Sequence, residues 1–516
     1  MPRLTGLDGA FLALESPTTH LHIMGAMVFD PTGVPGGVSF RRIRSLVAER
    51  VPLVPPFRMR MAEVPFGLHH PTLVEDPEFD LGYHVRRVSL PAPGGTAEMA
   101  DLVADLAARP LDRTRPLWEF HVVEDLADGQ IGVIAKVHHA IIDGVSGAEV
   151  LAAFFDLSPD PTPRPLFGAS APGLDHFGAP GTGAESGAGT DDQRTPDPEP
   201  DAKVGVWSPA AVPGDIDRLR QSLAGLPGQV EAVVRSVARS VQTARTIADR
   251  NRDVAGTLPP APFQAPHTSI NGAISSHRRV AFADLPMADI RRVGAVFGAT
   301  TNDVVLAAAS GALRQLLASR NEEPDSSLVA MVPVSVRSEA ERGTLGNRVS
   351  AVLVSLATGV TDPVTRLRCI RDGMQAAKEQ NRSVGSDLYT AWAEAAFPAV
   401  ATRLSRLVTN LRLFDHVAPL CNVIVSNVPG PGLPLYLAGA RLSSMHPIGP
   451  IMEGVGVNIT VFSYLDSVHV GIQACWDLVP DVGILGRAME DSLAELVAES
   501  ARRDRPVPWW HAELPA

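Results

Sequence analysis

Three thiols in 516 residues, Cys369, Cys421 and Cys475, are an odd set scattered over the last third of the chain. Their spacing fits neither a disulfide framework nor a zinc site, so reduced thiols are expected. The sequence also lacks any run of about 18 consecutive apolar residues, because charge, glycine or proline interrupts the richest stretches. A helix spanning a bilayer is therefore not expected. Basic residues are in deficit: 45 Lys and Arg against 57 Asp and Glu leave a formal charge of −12. That is a poor field for gathering polyanions and sets nucleic acid aside as a partner. The opening MPRLTGLDGAFLALESP reaches Asp8 and Glu15 before any sustained apolar segment. It lacks the three-part pattern of a secretion signal, and a cytoplasmic protein is the expectation. Also missing are the Walker phosphate loop, a GxGxxG turn after a strand and the GxSxG nucleophile elbow, so a phosphate cradle and a serine acyl-enzyme lose their usual support.

What is present is an ordinary globular composition, 45% hydrophobic and 20% charged. The chain exceeds the length over which one hydrophobic core usually keeps growing, so more than one domain is expected. Residues 1–161 read as a compact α/β domain, in which the proline-rich VPLVPPFRMRMAEV from Val51 is a loop with an edge strand. Residues 162–210 are rich in Pro, Gly and acidic side chains and predict a flexible linker. Residues 211–269 carry Val230, Val233, Val234, Val237, Val241 and Ile247 at mostly helical spacing, interrupted at Pro227-Gly228. Such an amphipathic segment suits packing on the protein's own body or contact with a membrane or lipid droplet. Residues 270–516 form a second α/β domain. There ADIRRVGAVFGA and VLAAASGALRQLLAS predict helices, SLVAMVPVSV a strand, VNITVFSYLDSVHVGIQACW a hairpin turning near Leu465–Ser467, and AMEDSLAELVAES a closing helix.

The sharpest local feature is KVHHAIIDGVSG, Lys136 to Gly147, where an apolar strand runs into paired histidines and then a turn and a helix. On an extended strand His138 and His139 point to opposite faces, so one serves structure while the other is available for chemistry. Imidazole near neutral pH accepts an alcohol proton and returns it to a leaving group, the role assigned to His139. Full deprotonation before attack is ruled out by arithmetic: a hydroxyl pKa of about 15.7 against about 6.5 for imidazole is a deficit of roughly 12 kcal/mol. Proton transfer must accompany attack. For His138 the preferred role is packing and a hydrogen bond that holds the turn. Asp143 suits a helix start, where a carboxylate accepts backbone N–H groups, and Gly144 permits close backbone geometry. A metal site is not expected, since adjacent histidines at a strand end do not have HExxH spacing and no second cluster completes a ligand set.

HHAIIDG, His138 to Gly144, matches the HHxxxDG signature of coenzyme-A-dependent acyltransferases. The wider chain resembles the bacterial wax ester synthase/diacylglycerol acyltransferase family. The resemblance rests on Pro116-Leu117-Trp118, NDVVLA from Asn302, PVSVR ending at Arg337, GNRVS from Gly346 to Ser350 and VSNVPGP from Val425 to Pro431. It implies an α/β fold of two chloramphenicol-acetyltransferase-like domains enclosing a substrate tunnel, with His139 as general base. Asp143 would keep the motif's geometry, Asn302 and Asp303 would support the site from the opposite domain, and Pro116, Leu117 and Trp118 would border the acceptor pocket. Long-chain acyl-CoA would be the donor substrate, with no cofactor held, and diacylglycerol or a fatty alcohol the acceptor. Localisation would be cytoplasmic with peripheral contact at the inner membrane or lipid droplets. Departures from the family pattern fall in the first pocket wall, LDGAFLALESPTTHLHIMGAMVF, at Asp466 in the late hairpin and in the long linker.

Several of these residues also have a purely structural reading. Thr301-Asn302-Asp303 suits the cap of an alanine-rich helix. Trp118 suits core filling. Arg348 remains protonated and is no base. The alternative readings are an acyltransferase for another lipid or a small amine, and a noncatalytic lipid-binding homologue that would bind ligand without releasing CoA.

Overall fold

The computed structural model describes residues 4, 6–64, 70–142, 147–160, 259–260, 262–335, 349–384, 415 and 418–503. The linker at 162–210, nearly all of 211–269, and Asp143, Gly144, Arg337 and Arg348 lie outside them. The first half begins with α1 (Gly6–Leu14), β1 (His22–Asp30) and α2 (Phe40–Arg50), then β2 (Met59–Ala62), β3 (Thr72–Glu75), α3 (Leu81–His84) and β4 (Val85–Ser89). It continues through α4 (Thr96–Ala107), β5 (Trp118–Glu124), β6 (Ile131–His138), α5 (His139–Ile142) and α6 (Gly147–Phe154). The proline-rich stretch from Val51 folds as two short 3-10 turns and β2, which pairs with β3 in a two-stranded sheet of its own.

The second half runs β7 (Arg278–Pro286), α7 (Met287–Phe297), α8 (Thr301–Ser319), β8 (Val329–Ser335), β9 (Val349–Ser355) and α9 (Pro363–Val384). It closes with β10 (Val423–Pro429), β11 (Tyr436–Leu437), β12 (Ala440–Ile448), β13 (Val457–Tyr464), β14 (Ser467–Cys475) and α10 (Gly483–Arg503). The anticipated hairpin is there: Tyr464 pairs with Ser467 across a two-residue turn, with Leu465 at φ 50°. The predicted helices and closing helix are also in place. Gly298 ends α7 in the left-handed conformation, at φ 64°, which lets the chain turn sharply into α8.

Two six-stranded mixed sheets organise the molecule, in the orders β11-β12-β1-β6-β5-β4 and β7-β14-β13-β10-β8-β9. The second region does not keep all its strands: β11 and β12 return to the first sheet, and β12 lies antiparallel to β1 from Met24↔Ile448 to Asp30↔Arg441. Side-chain periodicity reports which faces a strand buries and not which strand lies beside it, so a boundary drawn at residue 270 from composition carries no sign of this exchange. Where β12 passes over β14, a Cβ at Gly471 would meet the Pro447 carbonyl oxygen at 1.9 Å, so only glycine lets the two sheets approach so closely.

The largest core surrounds α8, whose Val304, Val305, Leu306, Leu313 and Leu316 are fully buried against α7, α9, α10 and the second sheet. At roughly 1.5–3 kcal/mol for each large aliphatic side chain, this is the main cohesive block of the second half. The first sheet buries Trp118 and Phe120 of β5 on one face against Phe57 and Phe154, and packs its other face on α4. Helix α4 also packs on β7, joining the halves. Among the described residues no single helix is long and apolar enough to cross a membrane. The α7–α8 pair has the length and composition but is bent by 103°, and α8 is core.

Candidate active site

Strand β6 lies between β1 and β5, and its last residue is His138. The chain turns there into α5, so His139 occupies the first position of a short helix beyond the sheet. Two backbone bonds fix this corner: His138 N–H donates to Leu117 O at 3.0 Å, and His139 N–H donates to Leu21 O at 3.0 Å. The PLW segment and the lead-in to β1 therefore hold the two histidines on either side.

The histidines have unlike surroundings. His138 is 1% exposed. Its Nδ1 accepts the Ala140 N–H at 3.0 Å, which assigns the ring proton to Nε2. That nitrogen lies 3.1 Å from Glu15 Oε1. His139 is half-buried, and its ring stacks on Phe11 of α1 at 4.8 Å between centroids with 28° between planes. One histidine is thus built into the frame, and the other is presented at the sheet's end on an aromatic support.

Glu15 was not singled out from the sequence, yet it is the hub of this corner. Its Oε1 accepts the Leu21 N–H at 3.0 Å and faces His138, while Oε2 accepts Arg113 Nη2 at 2.6 Å and Nε at 3.2 Å. Burial alone would raise the Glu15 carboxyl, but His138 and Arg113 outweigh it and hold the group down to about 2. A lone acid in ALESPTT resembles a loop residue, and only the return of the chain alongside β6 gives it this role. The same loop is tied to the second half: Arg278 donates to Thr18 O, and Thr18 Oγ1 donates to Glu453 Oε1 at 2.7 Å.

Behind His138 the sheet face is unusually polar. His22 lies directly opposite His138 in the ladder, and Glu119 directly opposite Lys136. Lys136 is 1% exposed, and its Nζ donates to Leu106 O at 3.0 Å and Arg109 O at 2.5 Å, carbonyls at and just beyond the C-terminal end of α4. Burial lowers the Lys136 ammonium to about 8. Burial, with Arg278 nearby, likewise lowers His20 to about 4. His121 Nε2 lies 3.2 Å from Glu119 Oε2. Inside apolar sequence runs these groups carry no local signal of being paired.

The remaining sequence-derived candidates are dispersed. Leu117 and Trp118 are 1% and 0% exposed. The Trp118 indole N–H donates to Phe57 O at 2.8 Å, and its ring stacks on Phe57 and His84. Pro116 accepts the Trp118 N–H at 2.9 Å. Asp303 belongs to a capping box, accepting the Thr300 N–H at 2.8 Å while Thr300 Oγ1 accepts the Asp303 N–H at 3.3 Å. The cap residue of α8 is Thr300. Asn302, in the first turn, keeps a buried Nδ2 with no hydrogen-bond partner among the described residues.

Comparison with known proteins bears on the same residues. The model of the "Wax ester synthase/diacylglycerol acyltransferase catalytic domain" matches residues 4–305, and that of the "WS/DGAT C-terminal domain" matches 345–497. Two Mycobacterium tuberculosis relatives are each 34% identical. "Putative diacyglycerol O-acyltransferase Rv1760" aligns over 96% of this chain and 90% of its own length, and "Putative diacyglycerol O-acyltransferase Rv3087" over 98% and 99%. Among solved structures, the wax ester synthase/diacylglycerol acyltransferase from Marinobacter aquaeolei VT8 superposes with a TM-score of 0.63 at 26% identity, over 97% of this chain and 100% of that one. The first condensation domain of the calcium-dependent antibiotic synthetase shares the fold, with a TM-score of 0.53 at 17% identity over 97% and 96% of the two chains. With both family models matched in order and the paired histidines at the end of a central strand, the chain belongs to the wax ester synthase/diacylglycerol acyltransferase family.

Proposed function

We propose that the protein transfers a long-chain acyl group from acyl-CoA to the hydroxyl of diacylglycerol, giving triacylglycerol and free CoA, with His139 as the general base. Fatty alcohols are the second acceptor class, giving wax esters. The observation that carries the role of His139 is the contrast between the two histidines: His138 is built into a carboxylate frame, while His139 stands beyond the sheet on Phe11.

In this reading two α/β domains, residues 1–161 and 270–516 joined through 162–210 and 211–269, enclose a tunnel that delivers both substrates to His139. As the hydroxyl oxygen attacks the thioester carbonyl, the imidazole takes its proton. The tetrahedral adduct collapses, the C–S bond breaks, and the imidazolium returns the proton to the CoA thiolate. No charge or atom is left over, and acyl-CoA acts as donor substrate, not as a resident cofactor. Glu15 positions this corner through Leu21 and His138 without touching substrate. Asp143 and Gly144 shape the turn, Asn302 presents a buried amide donor from the opposite half, and Pro116, Leu117 and Trp118 back the acceptor side. An acyl chain of about 15 methylenes gains at most about 12 kcal/mol on transfer from water, before ordering costs, so an enclosed apolar path suits it. Peripheral contact with a membrane or lipid droplet, where diacylglycerol resides, completes the proposal.

The test is CoA release by the purified protein with product identification across diacylglycerol and long-chain alcohols. Ester formed in step with CoA supports the proposal. CoA released without ester shows hydrolysis or another acceptor and overturns the substrate assignment.

A further inference from the structure

Three side chains from three strands converge where the two sheets meet. Asp284 on β7 and His469 on β14 are direct partners in the second sheet, and His446 comes from β12 of the first. A single oxygen, Asp284 Oδ1, accepts from His469 Nδ1 at 2.5 Å and from His446 Nε2 at 3.1 Å, and the three donor atoms all lie within 4.8 Å of one another. The imidazoles are 6% and 9% exposed, while the Asp284 side chain is 56% exposed. Phe282 packs against His446 at 4.6 Å between ring centroids, and the two imidazoles meet edge to face at 5.2 Å.

We propose that Asp284, His446 and His469 form a binding site for a divalent first-row cation of the zinc class, pinning the first sheet to the second. Two imidazole nitrogens and one carboxylate are a donor set that such ions favour, and the exposed side of Asp284 leaves a fourth position for water. Two of the three separations lie close to what is needed. Metal–ligand bonds of about 2.0–2.1 Å at tetrahedral angles put ligand atoms roughly 3.3 Å apart. The 3.1 Å contact already has that separation, and the 2.5 Å contact must open by less than about 1 Å, within reach of a rotation of the exposed Asp284. Both nitrogens now face Oδ1 as donors, so metal uptake requires each imidazole to carry its proton on the other ring nitrogen. His446 lies opposite Ala26, four residues along β1 from His22, the ladder partner of His138. At strand rise this places the cluster about 13 Å along the sheet from the catalytic corner. It is therefore a second site, with no part in acyl transfer chemistry.

The test is calorimetric titration of metal-stripped full-length protein with zinc sulfate, repeated on Asp284→Ala and His469→Ala. Asp284 is the safer substitution for folding, because its side chain is largely outside the core. One equivalent bound by the wild type, with affinity falling about 100-fold or more in Asp284→Ala, supports the site, since loss of even an outer-shell partner costs 10–100-fold. Cobalt(II) in place of zinc should give an intense tetrahedral visible spectrum in the wild type alone. Wild-type protein that takes up no zinc, or Asp284→Ala that binds zinc as tightly as the wild type, overturns the proposal and leaves the cluster a hydrogen-bonded clasp.

Discussion

The second sheet and α8 enclose a core of Val, Leu, Ile and Ala, in which Ser310 is satisfied by one bond to Leu356 O at 2.6 Å. The face of the first sheet that carries His138 instead buries Lys136, His22, Glu119 and His121 beside its apolar residues. A buried polar group is tolerated only with a partner, and a buried ion pair adds little net stability over a hydrophobic equivalent. The His138 face of the first sheet therefore gives up cohesion for a fixed arrangement around the histidine corner, and the α8 face of the second sheet supplies it. Substitutions in the two regions should separate accordingly, with the first altering rate and the second altering stability.

The sharpest break of this contrast is His139→Ala. Acyl transfer should fall by about 10²–10⁴-fold while the thermal midpoint stays near that of the wild type, read by product formation and calorimetry on the same preparation. Retained transfer would remove the general base. Next comes Leu313→Ala in α8, a fully buried leucine. It should destabilise the protein by about 2–5 kcal/mol in denaturant unfolding, with kcat unchanged in the fraction that remains folded. A large loss of kcat without loss of stability would mean that α8 does more than support.

The smallest and most discriminating change is Glu15→Gln. The variant should lose about tenfold in kcat with little change in KM, because a positioning contact and not a substrate contact is lost. Its stability profile supplies an independent readout. Glu15 is held down to about 2 in the fold against 4.5 as its ordinary value. Its stabilisation is therefore complete above pH 4.5 and disappears as pH falls through 2. Wild-type stability should decline across that window, and Glu15→Gln should lack that share of the decline. Equal acid sensitivity in the two proteins would show that the carboxylate is not the hub.

Much of the frame is legible in the sequence. The 3.6-residue pattern of VLAAASGALRQLLAS gives α8, and the two apolar runs flanking Leu465-Asp466 give the β13–β14 hairpin. The unlike surroundings of His138 and His139 do not come from strand alternation, because the strand ends at His138 and His139 opens α5. Less accessible are relations between distant segments. Glu15 is recognisable only once Leu21 lies beside His139 and Arg113 has come from before β5. The cap of α8 is Thr300 and not its neighbours at 301–302, because a capping box is a matter of one residue's phase. The core-filling reading of Trp118 is visible in its wholly enclosed indole, bonded to Phe57 O, a partner that lies 61 residues away in sequence. The Asp284, His446 and His469 cluster spans three strands and two sheets, so no local spacing could announce it.

The return of β12 to the first sheet sets the order of assembly during synthesis. Until the ribosome has made Ile448, β1 keeps an open hydrogen-bonding flank, the kind of exposed strand that recruits neighbouring chains. At about 5–20 residues per second that interval lasts roughly 20–80 s. A fragment stopped before Ala440 would keep the flank open for good, and should self-associate unless the missing strand is supplied in trans.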